Sequence, residues 1–419
     1  MKHREGGSLA SISLTRRDFL KLSAAASLLL ADFQKLQKAA AETLKQGSVN
    51  LIWFESQDCA GNTISMIEGS APDLIQVLVG ENPAIGPGKV RVVFHETIMP
   101  EWGEAAIEYL HKAEAGELDP YVLVLEGSFP DEDAAAKTGG WWFVLGEEDG
   151  RPITGNEWVR RLLKRAVAVV AVGNCACYGG IVASQVLDST SYSADGWSPT
   201  GAFGFFDDPL KGIKGAVSRW PEARPFLNFI EGKGKLEVSP TGEARPAVAI
   251  PGCPANGNAI LRVLGHLILA VDGLLPLPEL DEYWRPVYIF GRTTHEQCPR
   301  AGFYAAGDFR ENPGDNDFKC LFQVGCKGPV SNCPWNRVGW IDGIGGPTRT
   351  GGVCIGCTMP GFPDRFEPFY KPLQAPSMPD TVTLTGITAG AAAVGLAAGY
   401  IMSEPARKGG KGEKEGGGG

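Results

Sequence analysis

Three cysteines that lie far apart in the chain share one local setting. Cys59 follows the apolar run "NLIWF", Cys175 follows "AVAVVAVG" and Cys253 follows "AVAIPG". Short aliphatic and β-branched runs bounded by turn residues read as buried strands. "VNLIWF", "VRVVFH", "YVLVLEG", "AVAVVAVG" and "AVAIPG" are five of them, alternating with helical stretches such as "EAAIEYLHKAEAGE", "NEWVRRLLKRA" and "NAILRVLGHLILAV". The last of these places Ile260, Leu261, Leu264, Leu267, Ile268 and Val271 on one stripe at helical spacing. Alternating strands and helices dictate an α/β fold with a doubly wound parallel sheet, in which all strand carboxyl ends share one rim. The three thiols are therefore expected to converge. Any one of them alone reads equally well as a packed core residue, but the shared position argues for a common ligand. Gly173, Gly179, Gly180 and Gly252 beside them would let backbone approach a bulky inorganic group.

From about Arg285 to about Lys371 the periodicity stops and Gly, Pro, Asn and Cys take over, so this segment is expected to take its order from what it binds. His295, Cys298, Cys320, Cys326, Cys333, Cys354 and Cys357 fall within 63 residues. Disulfides, zinc or iron-sulfur clusters would each use such residues. Zinc modules use four ligands, whereas seven ligands split as four plus three, and three thiolates suit a [3Fe-4S] cluster. Pro347 stands seven residues before Cys354, where a fourth thiolate would otherwise be. An exported zinc-stabilised binding module without redox role accounts for these cysteines but not for the three on the strand rim. The net charge of -9 argues against a nucleic-acid partner.

The chain ends speak about location. "LTRRDFLKLSAAASLLLADF" sets Arg16 and Arg17 ahead of Phe19, Leu20, Lys21 and an apolar run, with "AAAE" at Ala39 to Glu42 as a small-residue cleavage site. This reads as a twin-arginine signal peptide over residues 1–41, the bland alternative being an amphipathic helix with a chance Arg-Arg pair. That export route carries folded proteins with their cofactors, which weakens the disulfide reading. "TVTLTGITAGAAAVGLAAGYIM", residues 381–402, carries no charge and is long enough to span a bilayer; a flexible Ala/Gly linker is the alternative. Its Gly386/Gly390 and Gly395/Gly399 spacings suit close helix packing, and Arg407, Lys408 and Lys411 would stay cytoplasmic. Residues 403–419 read as a disordered tail. The expected location is the cell membrane, with the main domain on the extracytoplasmic (periplasmic) side.

The elements "HETIMPEWGEAA", "VLEGSFP", "GNCACYGG", "IPGCPAN", "HEQCPRAGFY", "GCKGPVSNCP" and "CIGC", in this order behind a twin-arginine leader, resemble the small, electron-transferring subunit of membrane-bound nickel-iron hydrogenases. The resemblance implies a flavodoxin-like domain over residues 47–284 with the proximal cluster, and a loop-rich iron-sulfur domain over 285–372 with the other two. It implies that His295, Cys298, Cys320 and Cys326 hold a distal [4Fe-4S] cluster, and that Cys333, Cys354 and Cys357 hold a medial [3Fe-4S] cluster with Pro347 at its vacant corner. Cys59, Cys175 and Cys253 match three of the family's four proximal ligands, but the fourth, the second cysteine of C-x-x-C, is here Asn62. Cys177 is the candidate replacement in a proximal [4Fe-4S] cluster, with Asn62 as alternative. Loss of that iron to give a [3Fe-4S] cluster also stays open, as does Cys177 as a space-filling residue. The six-cysteine proximal pattern of oxygen-tolerant relatives is absent. The implied partners are a large subunit with the nickel-iron centre and a membrane acceptor, a b-type cytochrome or similar. His266 is expected to be a satisfied or partner-facing histidine, and Glu126 to line the partner interface or simply end its strand.

Overall fold

The computed structural model describes residues 48–79, 90–184, 201–234, 243–271 and 274–373. The expected signal peptide, membrane segment and tail lie outside them, and among the described residues no helix is long and apolar enough to cross a membrane. Every helix and strand named here belongs to the compact unit that ends at Lys371.

Five strands form the central sheet: β1 (Val49–Glu55), β2 (Val90–His95), β3 (Tyr121–Glu126), β4 (Ala168–Val172) and β5 (Ala247–Ile250). Their order is β2-β1-β3-β4-β5, with every neighbouring pair parallel. This is the flavodoxin-like order, with its switch between β1 and β3. Side chains alternate between two cores. Ile52, Phe54, Leu123, Leu125, Val169 and Ala171 face Leu110 of α2 (Glu104–Ala115) and Trp158 and Leu162 of α3 (Gly155–Leu163). Leu51, Trp53, Val122, Val124, Val170 and Val248 face Met66 of α1 (Gly61–Ile67) and the stripe of α5 (Gly257–Val271). Ile260, Leu261, Leu264, Leu267 and Ile268 of that stripe are buried. Helix α3 starts where Thr154 Oγ1 accepts from Glu157 N at 3.1 Å, an N-cap that supplies one of the otherwise unpaired first-turn amides.

The register sets the rim. Glu55 pairs with Glu126, Glu126 with Val172, and Val172 with Ile250, so four strands end level. Glu126 is fully buried there. Its Oε2 accepts from Trp53 Nε1 at 2.9 Å and lies 2.6 Å from Thr63 Oγ1, while its Oε1 accepts from the Asn62 backbone at 2.9 Å and from Asn62 Nδ2 at 3.1 Å. The expectation that Glu126 lines a partner surface is thereby corrected: its carboxylate ties β1, β3 and the start of α1 together from inside. His266 is satisfied, with Nε2 2.9 Å from the Pro276 carbonyl and its ring stacked on Tyr288.

Among the described residues beyond Arg285, only short helical turns remain, around small apolar clusters such as Met359, Phe362 and Phe366. Polar anchors tie this segment to the α/β body. Arg285 pairs with Asp281 at 2.7 Å and donates to the Thr358 carbonyl at 3.0 Å. The buried pair Lys211–Asp364 closes at 2.7 Å, and Asp208 Oδ2 accepts from Gly361 N at 2.8 Å. Asn174 Nδ2 donates to the carbonyls of Cys357 (2.9 Å) and Met359 (2.8 Å).

Replacing Glu126 with Leu strands the Trp53, Asn62 and Thr63 donors in an apolar site, and unsatisfied buried donors cost about 1–3 kcal/mol each. Urea unfolding of Glu126→Leu should show a loss of at least about 3 kcal/mol, with Glu126→Gln losing less because it keeps an acceptor oxygen. A wild-type midpoint for Glu126→Leu would show that this network does not hold the rim.

Candidate metal centres

Level strand ends bring their following loops together. Cys59 lies four residues past the end of β1, while Cys175 and Cys253 each lie three past the ends of β4 and β5. The three thiols converge as expected. Burial pushes the Cys253 thiol up to about 11, and the neighbouring Cys175 and Cys59 thiols add to the shift. Cys175 is raised too, first by burial, with Cys59 contributing. Gly180 is required here: its φ of +52° suits glycine, and a Cβ would come within 2.7 Å of Cys175 Sγ. Cys59 and Cys253 are exposed and Cys175 is half-buried, so this group opens onto the surface.

The structure does not bring Cys177 to them. Cys175 and Cys177 share the one-turn helix α4 (Gly173–Tyr178), where a step of two residues turns the side chain by roughly 200°. The Cys177 thiol points into the core and donates to the Ala171 carbonyl at 3.2 Å. Asn62 is also engaged: Nδ2 is held by Glu126, and Oδ1 accepts from Ala255 N at 2.8 Å. Its side chain fills the space beside Gly173, where a Cβ would come within 2.4 Å of Nδ2. Where the resemblance calls for a thiol, this chain has an amide that links the start of α1 to the end of β3 and to the loop after β5.

In the second group Cys333 and Cys354 are buried and Cys357 is half-buried. Cys333, Cys354 and Cys357 lie together, and burial raises all three thiols, with the neighbouring thiols adding to the shift at Cys354 and Cys357. For Cys333 burial alone dominates, with Thr294 Oγ1 3.4 Å from its sulfur. Cys354 is pushed up to about 12. The third group lines one cavity: His295, Cys298, Cys320 and Cys326, together with Arg300, Thr348 and Asn336. Cys320 and Cys326 are buried, whereas His295 and Cys298 are half-buried on the outer side, the His295 ring edge-on to Tyr304 at 4.5 Å. Cys298 Sγ lies 3.0 Å from Thr348 Oγ1. The carbonyl of Pro347, one residue earlier, accepts from Gly352 N at 3.0 Å.

Clustered thiols in low dielectric resist ionisation individually, and bound cationic iron reverses that balance. Soft thiolates with one imidazole suit iron-sulfur chemistry, so the residues present fit such groups. The residues that sequence reasoning passed over are the second partners: Asn174, Arg300 and Lys327. Their signal was weak, a polar or basic residue beside a cysteine in "GNCACYGG", "CPRAG" and "CKGP".

A doubly wound α/β body that gathers thiols at its strand rim and in its trailing loops defines the class of iron-sulfur electron-transfer proteins. Residues 290–370 match the C-terminal family of the NiFe/NiFeSe hydrogenase small subunit, and residues 59–267 match NADH ubiquinone oxidoreductase, 20 Kd subunit. The F420 non-reducing hydrogenase II small subunit of Methanosarcina mazei is 30% identical, over 97% of this chain and 96% of that one. The quinone-reactive Ni/Fe-hydrogenase small chain of Wolinella succinogenes is 27% identical, over 93% of this chain and 96% of that one. Among solved structures, the actinobacterial-type NiFe-hydrogenase from Ralstonia eutropha H16 matches with a TM-score of 0.63 and 32% identity, covering 84% of this chain and 91% of that one. The chain belongs to the nickel-iron hydrogenase small subunit family. That membership sets aside the zinc-stabilised binding module.

If Cys177 only fills space, Cys177→Ala should leave iron content and the proximal EPR signal unchanged while lowering stability by about 1–2 kcal/mol through the small cavity it leaves. Loss of iron or of the signal would return Cys177 to the donor set.

Proposed function

We propose that this chain is the electron-relay subunit of an exported, membrane-bound nickel-iron uptake hydrogenase, passing electrons from dihydrogen oxidation in a large subunit to a membrane acceptor. In this reading the clusters, when bound, supply one-electron carriers: a proximal [4Fe-4S] or [3Fe-4S], a medial [3Fe-4S] and a distal [4Fe-4S]. Cys59, Cys175 and Cys253 hold the first, Cys333, Cys354 and Cys357 the second, and His295, Cys298, Cys320 and Cys326 the third.

One observation carries the reading: the three donor groups are joined in series by ligand backbone. Asn174, next to Cys175, donates from Nδ2 to the Cys357 carbonyl at 2.9 Å, and the amide of Lys327, next to Cys326, donates to the Cys354 carbonyl at 2.8 Å. Each junction thus links neighbouring donor groups through a single hydrogen bond. The exposed thiols at the strand rim suit the end that faces a large subunit, and the half-buried imidazole of His295 suits the exit. The quinone-reactive function in the name of the Wolinella relative supports a membrane acceptor, for which a b-type cytochrome or similar protein is the proposed occupant. The twin-arginine pattern and the charge-free stretch 381–402 support export and a C-terminal membrane anchor, with the body outside the cytoplasm.

Replacing His295 with Gly should slow electron delivery to the membrane acceptor on the order of tenfold or more while leaving hydrogen–deuterium exchange in the assembled complex largely intact. Equal loss of both activities would remove His295 from the exit. Ending the chain before Thr381 should release a dye-reducing complex into the soluble exported fraction, since every proposed ligand lies upstream. Sedimentation with salt-washed membranes would mean that another element anchors it.

A further inference from the structure

Lys327 is buried, with only 3% of its surface exposed, and among the described residues it has no carboxylate partner. Its Nζ donates to the Lys371 carbonyl at 2.5 Å and lies 3.5 Å from that of Pro368. The residue follows Cys326 directly, and its own amide donates to the Cys354 carbonyl at 2.8 Å. Lys327 is thus placed between two cysteines, Cys326, which it follows in the chain, and Cys354, to whose carbonyl it is bonded. Those two belong to different donor groups, the distal and the medial. Arg300, by contrast, lines the cavity of the distal group and faces Cys298 and Cys320 of that group.

Burying an ammonium against carbonyl dipoles alone is costly, and a buried cation is normally matched by an anion. Among the described residues none faces it beyond thiols that burial keeps protonated. Thiolates bound to iron would provide the missing negative charge on both sides. A fixed positive charge beside such groups favours the reduced form, which carries one more negative charge, and net charge is among the factors that set iron-sulfur potentials.

We propose that Lys327 is a positioning residue of the relay, a shared counter-charge that raises the reduction potentials of the medial and distal centres together. The inference rests on the ligand assignment given under Proposed function. Its electrostatic role is separable from its tethering of the chain at Pro368 and Lys371, because Gln keeps a donor without the charge and Arg keeps the charge.

The test is redox titration followed by EPR on the assembled complex, for wild type, Lys327→Met, Lys327→Gln and Lys327→Arg, with iron counted in each. Wild type lacking iron, or lacking separate medial and distal signals, would sink the ligand assignment before any variant is compared. With the assignment intact, Met and Gln should lower both the medial and distal potentials, by at least a tenfold change in the oxidised-to-reduced ratio at fixed potential, about 59 mV for a one-electron couple. Arg should hold them near wild type, and the proximal potential should not move. Unchanged potentials in an iron-replete Met or Gln variant would overturn the proposal, as would equal shifts in Arg and Met. If Met and Gln fail to assemble while Arg loads fully, the requirement for charge is upheld. Failure of all three variants would reduce Lys327 to a tether and overturn it.

Discussion

The whole arrangement depends on strands that end level. With Glu55, Glu126, Val172 and Ile250 in one row, loops from three distant parts of the chain leave the sheet at the same height. Parallel pairing alone does not hold such a row, because the loops beyond it leave backbone donors to be satisfied in a dry environment. Glu126 does this from the centre, accepting from the indole of β1 and from the first amides of α1. Asn62 extends the same bonding to the loop after β5. The three thiols at the rim are thus set by a polar lattice beneath them rather than by their own packing.

Past that rim, charge replaces hydrophobic burial as the organising problem. The segment after Arg285 has small apolar clusters and buried cations bonded to carbonyls: Arg300 to Thr348 and Lys319, Lys327 to Lys371. Arg285 and Lys211 meet carboxylates and stitch the segment to the body. A loop-rich stretch of this kind gains little from area burial, so its order comes from polar anchors and from what its sulfurs bind.

The sheet was legible because its strands are buried on both faces and so read as continuous aliphatic runs. Convergence of Cys59, Cys175 and Cys253 followed from parallel topology alone. The stripe on α5 was equally plain from its spacing. What escaped was whatever depends on long-range partners. Asn62 looked like a lost ligand because its partners, Glu126 and Ala255, lie 64 and 193 residues away. Cys177 looked like a neighbour of Cys175 because "GNCACYGG" is too short to show a helical period, yet a two-residue step along a helix, a little over half a turn, sends the two thiols to opposite sides. Glu126 looked like the end of a strand at a surface, and only the indole, amide and hydroxyl around it show that it is interior.

Asn174 sits beside Cys175, and its amide clamps the carbonyls of Cys357 and Met359. The loop that carries Cys357 is therefore fastened to the helix that carries Cys175 by one short, stiff side chain, and not merely by proximity. Tunnelling falls off exponentially with separation, so the throughput of a relay is governed by the instants when its gaps are widest. In the proposed relay, a clamp at this junction would narrow the spread of distances across the first hop between donor groups.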